Sequence, residues 1–161
     1  MTAPDYVSGV VCDAAAVVAI ANDLARRRKD GAGARLYDRA RDEGLTLGVP
    51  LLAAVRAAGY LDPPGGMVLG ALLFPERFRP VGDPLRVVGP RGVWWLIDSR
   101  PEDLAEHQAM LGRCGDPLMA FVAAYAAAMG WPVATDRPAS YAALLGRDDA
   151  VVMPALEPGA V

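Results

Sequence analysis

The chain has 161 residues, 53% of them apolar, which is enough to bury one sizeable core, so residues 1–161 read as a single domain that folds alone. Sixteen basic residues against 19 acidic ones leave a formal charge of −3. That excludes a global basic field, and any contact with nucleic acid has to be local.

The first residues, "MTAPDYVSGVV", carry Asp5 and no Lys or Arg, so the charged start of a secretory signal is missing and a cytoplasmic protein is expected. Tyr6 to Val11 is short and β-branched and predicts a strand. "AAAVVAIANDLARRRKD" predicts the following helix, closed by Gly31, and a second helix runs from about Arg35 to Asp42 and ends at Gly44. Leu45 to Pro50 is a second strand, and "LLAAVRAAGYL" a helix stopped by "DPPGG". Residues 62–92 are rich in Pro and Gly and read as an irregular segment in which only "MVLGALLF" has helical character.

Regular alternation resumes with "VWWLID", a third strand ending at Asp98. Ser99 and Glu102 have the spacing of a capping box for the next helix. Asp116 and Pro117 then open "DPLMAFVAAYAAAM", with Asp as N-cap and Pro at the first helical position. This helix is apolar on nearly every face and is predicted to be buried. "WPVAT" is a fourth strand, "RPASYAALL" a short helix and "AVVMPAL" a fifth strand. Strands alternating with helices predict an α/β fold: a mostly parallel, roughly five-stranded sheet covered on both sides as a three-layer α/β/α domain. The uncharged run Pro117 to Thr135 is interrupted by Gly130 and Pro132, which fits helix, turn and strand rather than a membrane span.

Three aspartates share one situation. Asp13 follows the first strand, Asp136 follows the fourth, and Asp116 opens the helix that returns before that fourth strand. All three therefore belong at the carboxyl edge of the sheet, where open α/β sheets place ligand sites. Grouped carboxylates repel one another, and Mg²⁺ or Mn²⁺ would relieve this while activating a water. Each aspartate can also be a helix cap and nothing more.

"VVCDAAAVV", "VWWLIDSRPEDLAEHQAML" and "GDPLMAFVAAYAAAMGWPVATDRPASYAAL", in this order, resemble the PIN domain of small bacterial ribonucleases, many of them toxins of toxin–antitoxin pairs. The resemblance covers nearly the whole chain except residues 62–92. It implies a metal-dependent endoribonuclease with a Mg²⁺ or Mn²⁺ site, in which Asp13, Asp116 and Asp136 match three of about four acidic positions. It also implies an RNA substrate, an antitoxin-like protein partner or a second copy of the chain, and no membrane. The fourth family acid, a Glu on the helix after the second strand, is replaced here by Arg56, and no carboxylate occurs between Glu43 and Asp62. Three acids and one guanidinium carry about −2 where four acids carry about −4, so metal binding is expected to be weakened, with Arg56 paired to one of the aspartates. The alternative is a non-catalytic protein that keeps the fold for binding a protein partner or RNA.

Other features carry less. Arg26 to Lys29, with Arg35, Arg39 and Arg41, can follow an RNA backbone, but such a cluster is more often a solvated helix end favoured by the macrodipole, and that reading is preferred. Cys12 and Cys114 read as small core residues, with no metal-ligand pattern around His107, which is expected to be exposed. A phosphoacceptor domain built on Asp98 is excluded because it needs a second acid beside Asp13 and a Lys after the last strand. "GAGA" follows a helix rather than a strand and does not make a nucleotide-binding loop.

Overall fold

Six strands form one sheet in the computed structural model, which describes residues 8–73, 87–88, 93–97 and 103–157. The strands are β1 (Gly9–Cys12), β2 (Thr46–Pro50), β3 (Val87–Val88), β4 (Val93–Ile97), β5 (Val133–Thr135) and β6 (Val151–Val152). The helices are α1 (Ala14–Ala25), α2 (Ala32–Glu43), α3 (Leu51–Ala58), α4 (Pro63–Leu73), α5 (Leu104–Cys114), α6 (Pro117–Met129) and α7 (Pro138–Leu145).

The order across the sheet is β3-β4-β2-β1-β5-β6, parallel throughout except for β3, which pairs antiparallel with β4. From β1 the chain steps to β2 and then β4; from β4 it returns past both to β5 and β6. Crossovers of the usual right hand, run in opposite directions from β1, are expected to put α1–α4 on one face and α5–α7 on the other. The packing agrees, since α1 lies against α2, α3 and α4, while α6 lies against α5, α7, β1 and β5. Helices on both faces of a mostly parallel sheet fit the three-layer α/β/α architecture. Every residue of β1 and β2 is buried, as strands covered on both faces require.

Residues 62–73, the described start of the segment 62–92, are less irregular than the sequence suggests. Asp62 accepts a hydrogen bond from the Gly65 backbone N–H at 3.0 Å, Pro63 occupies the first helical position, and α4 runs on to Leu73 despite Gly65 and Gly66. The short strand β3 lies in the same segment and takes the sheet beyond the five strands expected. The Ser99–Glu102 capping box and Asp98 lie outside the described residues.

The α1–α2 pair is held by two local devices. Asp23 of α1, although buried, accepts a hydrogen bond at 3.1 Å from the Ala34 N–H in the first turn of α2, whose own N-cap, Gly31, has no side chain. Gly33 lets the helices touch, because a Cβ there would meet the backbone carbonyl carbon of Ala19 at 2.2 Å.

Helix α1 stops at Ala25, five residues before the predicted end, in a Schellman turn: Arg27 N–H donates to Leu24 O and Arg28 N–H to Asp23 O. Arg27 takes the left-handed conformation, φ 53°, at a cost of roughly 1–2 kcal/mol for an L-residue. After α2, α5, α6 and α7 the left-handed residue is glycine: Gly44, Gly115, Gly130 and Gly146.

Arg147, beyond α7, closes α6 by donating to the Ala126 carbonyl at 3.1 Å and to the Trp131 carbonyl. Among the described residues no helix is long and apolar enough to cross a membrane.

His107, expected on the exposed face of its helix, is buried at 5% exposure. Its ring stacks on Phe121 with centroids 4.0 Å apart and meets Tyr125 edge-on, so two α6 aromatics supply an apolar slot that outweighs its polar neighbours. Burial lowers its pKa against the opposing charges of Asp103 and Glu106. Cys12 is fully buried, as expected of a core thiol, and Cys114 is half-buried with its Sγ 3.4 Å from the Asp116 carbonyl.

Candidate acidic site at the carboxyl edge

Strand order reverses at β1, with β2 on one side and β5 on the other. The residues that leave the carboxyl ends of β1 and β5 therefore face the crevice in which such sheets bind ligands. Asp13 leaves β1 and is the N-cap of α1. Its Oδ1 accepts from the Ala15 and Ala16 N–H groups at 2.9 and 3.2 Å, and its Oδ2 from the hydroxyl of Thr135, the last residue of β5. Burial raises the Asp13 pKa to about 6 against the hydrogen bonds of Thr135 and the helix N-terminus, and the Asp136 charge adds to the rise.

Thr135 Oγ1 in turn accepts from the Arg137 backbone N–H at 2.9 Å. The Arg137 guanidinium reaches across to Asp116, with Nη2 to Oδ2 at 3.2 Å. Asp116 is the N-cap of α6, and its Oδ1 accepts from the Met119 N–H at 3.2 Å. Burial would push this carboxyl up, but the Met119 N–H and Arg137 outweigh it and hold it below the usual range. Asp136 is half-buried, and its Oδ2 accepts from the Leu156 N–H at 3.1 Å, which ties the segment after β6 to the site.

Tyr141 stands one turn into α7, above Arg137. Its side chain is 1% exposed, and among the described residues its hydroxyl has no hydrogen-bond partner. Burial and then the Asp13 charge, with Asp116 and Asp136 behind it, push the phenol pKa up against Arg137, so it stays protonated.

The three predicted aspartates are thus joined by one hydrogen-bonded edge, from Asp13 through Thr135 and Arg137 to Asp116, with Asp136 beside it. Arg56 does not join them. It is exposed on α3 and has no carboxylate partner among the described residues; the cation of the site is Arg137. Thr135, Arg137 and Tyr141 were not singled out by the sequence. All three lie in "VATDRPASY", and the only signal available was their closeness to Asp136.

As arranged, the donor set does not fit a resident divalent ion. Both Asp13 oxygens accept internal hydrogen bonds, one Asp116 oxygen belongs to a guanidinium, and among the described residues no three Asp, Glu, His or Cys side chains are placed to share a metal. What the edge offers is a buried carboxyl that takes up a proton near pH 6 and a guanidinium held between two acids.

Comparison with known proteins finds no match to the chain among family models, curated proteins or solved structures.

Proposed function

We propose that the protein is a PIN-like domain, related to Mg²⁺- or Mn²⁺-dependent ribonucleases, whose acidic edge is closed by its own arginine. Divalent cations then bind weakly and phosphodiester hydrolysis is low. The observation that carries this reading is the Arg137–Asp116 ion pair at 3.2 Å beside Asp136, which sets a guanidinium against a carboxylate that a metal ion would need. The topology supports it as well, because Asp13 and Asp136 leave neighbouring parallel strands at the point of reversal.

Calorimetric titration with Mn²⁺ and cleavage of generic single-stranded RNA test the reading. Wild type is expected to bind Mn²⁺ weakly and to cleave slowly or not at all. Arg137→Gln should tighten Mn²⁺ binding severalfold, and Arg56→Glu, which restores the acid of the resemblance, should do less. Efficient Mn²⁺-dependent cleavage by wild type that is lost in Asp116→Asn would replace this reading with that of a working endoribonuclease.

One observation favours the non-catalytic alternative. Leu51, Leu52 and Val55 are exposed on α3, which begins where β2 ends at the same edge, and such a face suits an antitoxin-like protein or a second copy better than a substrate.

A further inference from the structure

The chain has one histidine, His107, and the carboxyl edge makes no use of it. It is the single buried residue of α5. Met110 and Cys114 are half-buried, while Leu104 and Leu111 are exposed. Along the flank of the helix, Ala109 and Met110 face Ala124, Ala127 and Ala128 across an open hollow. The N-cap, Asp103, makes no side-chain capping bond, and an 11-residue helix containing Gly112 is marginal without tertiary support. What holds α5 to α6 is therefore concentrated in one imidazole.

The slot that receives this ring suits its neutral form. Phe121 stacks on it with centroids 4.0 Å apart, Tyr125 meets it edge-on at 5.3 Å, and the buried Nδ1 has no hydrogen-bond partner among the described residues. An imidazolium carries a proton on both nitrogens, so the same Nδ1 would become a buried cationic donor with nothing to accept from it. Helix α6 brings no Asp, Glu, Lys or Arg to the slot, and Tyr125 is its one titratable residue. Helix α7, which also packs on α5, carries Tyr141 as its one titratable residue, and that phenol faces the carboxyl edge. On the side of α5 itself, Asp103 and Glu106 lie four residues and one residue before His107, and Arg113 is nearly two turns beyond it. The two carboxylates attract a charged ring, but burial outweighs them while the ring is in the slot.

We propose that His107 is a proton-operated clasp: the neutral ring holds α5 against α6, and protonation drives it out of the Phe121–Tyr125 slot and releases the helix. Outside the slot the imidazolium is hydrated and stands one turn after Asp103, the spacing and order that favour an acid–base pair on a helix. A released histidine takes its proton near the ordinary value of 6.5, and the clasped ring resists it. The released form therefore binds more protons, and it gains as the pH falls below that value. Release uncovers the aromatic face of Phe121 and Tyr125. It also slackens the chain that leads into the acid bonded to Arg137, because Gly115 alone separates α5 from Asp116. The clasp does not depend on what the carboxyl edge binds.

Nuclear magnetic resonance of the full chain reads the clasp directly, since a single histidine leaves no ambiguity in the imidazole signals. On lowering the pH, the Hε1 resonance, displaced by the stacked Phe121 ring, is expected to titrate with a midpoint below 6.5 and to end at the position of a free imidazolium. Over the same interval the protection of α5 amides against hydrogen exchange, corrected for intrinsic rates, should fall by about 10-fold or more, while Val10 and Val11 of β1 stay protected. His107→Phe should abolish the fall; if that variant folds poorly, the wild-type imidazole signal decides alone. Asp13 takes up its proton in the same interval, so the fall should persist in Asp13→Asn. A midpoint at or above 6.5 overturns the proposal, because cation–π attraction would then keep the charged ring in place. So does unchanged protection of α5, an equal loss in β1, or a fall that survives in His107→Phe or vanishes in Asp13→Asn.

Discussion

Asp13 is buried with a pKa of about 6, so at neutral pH it carries its charge in a place that disfavours it. The folded chain holds this proton up to about pH 6, whereas an unfolded Asp releases it near pH 4, so in that interval the folded state binds more protons and gains stability as the pH falls. Asp13→Asn keeps an N-cap and removes the charge. It should therefore raise the melting temperature at pH 7, by an amount equivalent to roughly 1–3 kcal/mol, and the gain should shrink towards pH 4. A variant that melts below wild type at pH 7 would mean that the three hydrogen bonds to the carboxylate outweigh its burial. The aspartates could be located from sequence because each follows a strand or opens a helix, and both are local signals. The cation could not. Arg56 was expected on a register borrowed from a resemblance, while Arg137 meets Asp116 across 21 residues through the packing of α6 beside β5, which no local pattern encodes.

The junction of α1 and α2 rests on Gly33, where the two backbones are too close to admit a side chain. Gly33→Ala places a methyl carbon 2.2 Å from the Ala19 backbone, far inside van der Waals contact, and forces the helices apart, at an expected cost of about 1–3 kcal/mol. Chemical denaturation would show this as a lower midpoint, and an unchanged midpoint would mean that the helices separate freely. Element boundaries were legible where the chemistry was standard: Gly44 ends α2 as predicted, and Gly115, Gly130 and Gly146 stand in the same left-handed position after α5, α6 and α7. The end of α1 was not, because Arg27 takes the left-handed position with a residue that normally continues a helix. Helix α4 begins with Asp62 and Pro63, the same signal that Asp116 and Pro117 give for α6. The glycines that follow hid it, since their low propensity argues against a helix that tertiary packing against α1 nevertheless sustains.

Strand order is the property of the whole molecule that sequence leaves open. Alternation of strands and helices predicts a parallel sheet, but neither propensity nor period says that β5 returns to the far side of β1, and the reversal that creates the site depends on it. With β1 and β2 buried along their length and β6 a two-residue edge whose Val152 is 64% exposed, stability should fall from the centre of the sheet outwards. Native-state hydrogen exchange is expected to be slowest at Val10, Val11 and Leu47 and orders of magnitude faster at Val152. Comparable rates at centre and edge would show that the sheet opens as one unit. The same architecture sorts charge. Among the described residues Asp13, Asp116 and Asp136 gather at the start of α1 and Arg27, Arg28 and Lys29 follow its end, so these charges form an electric moment along that helix. In a non-uniform field such a body experiences a torque before it makes any contact. These charges favour presenting the end of α1 to a negative surface, against the repulsion of a net charge of −3.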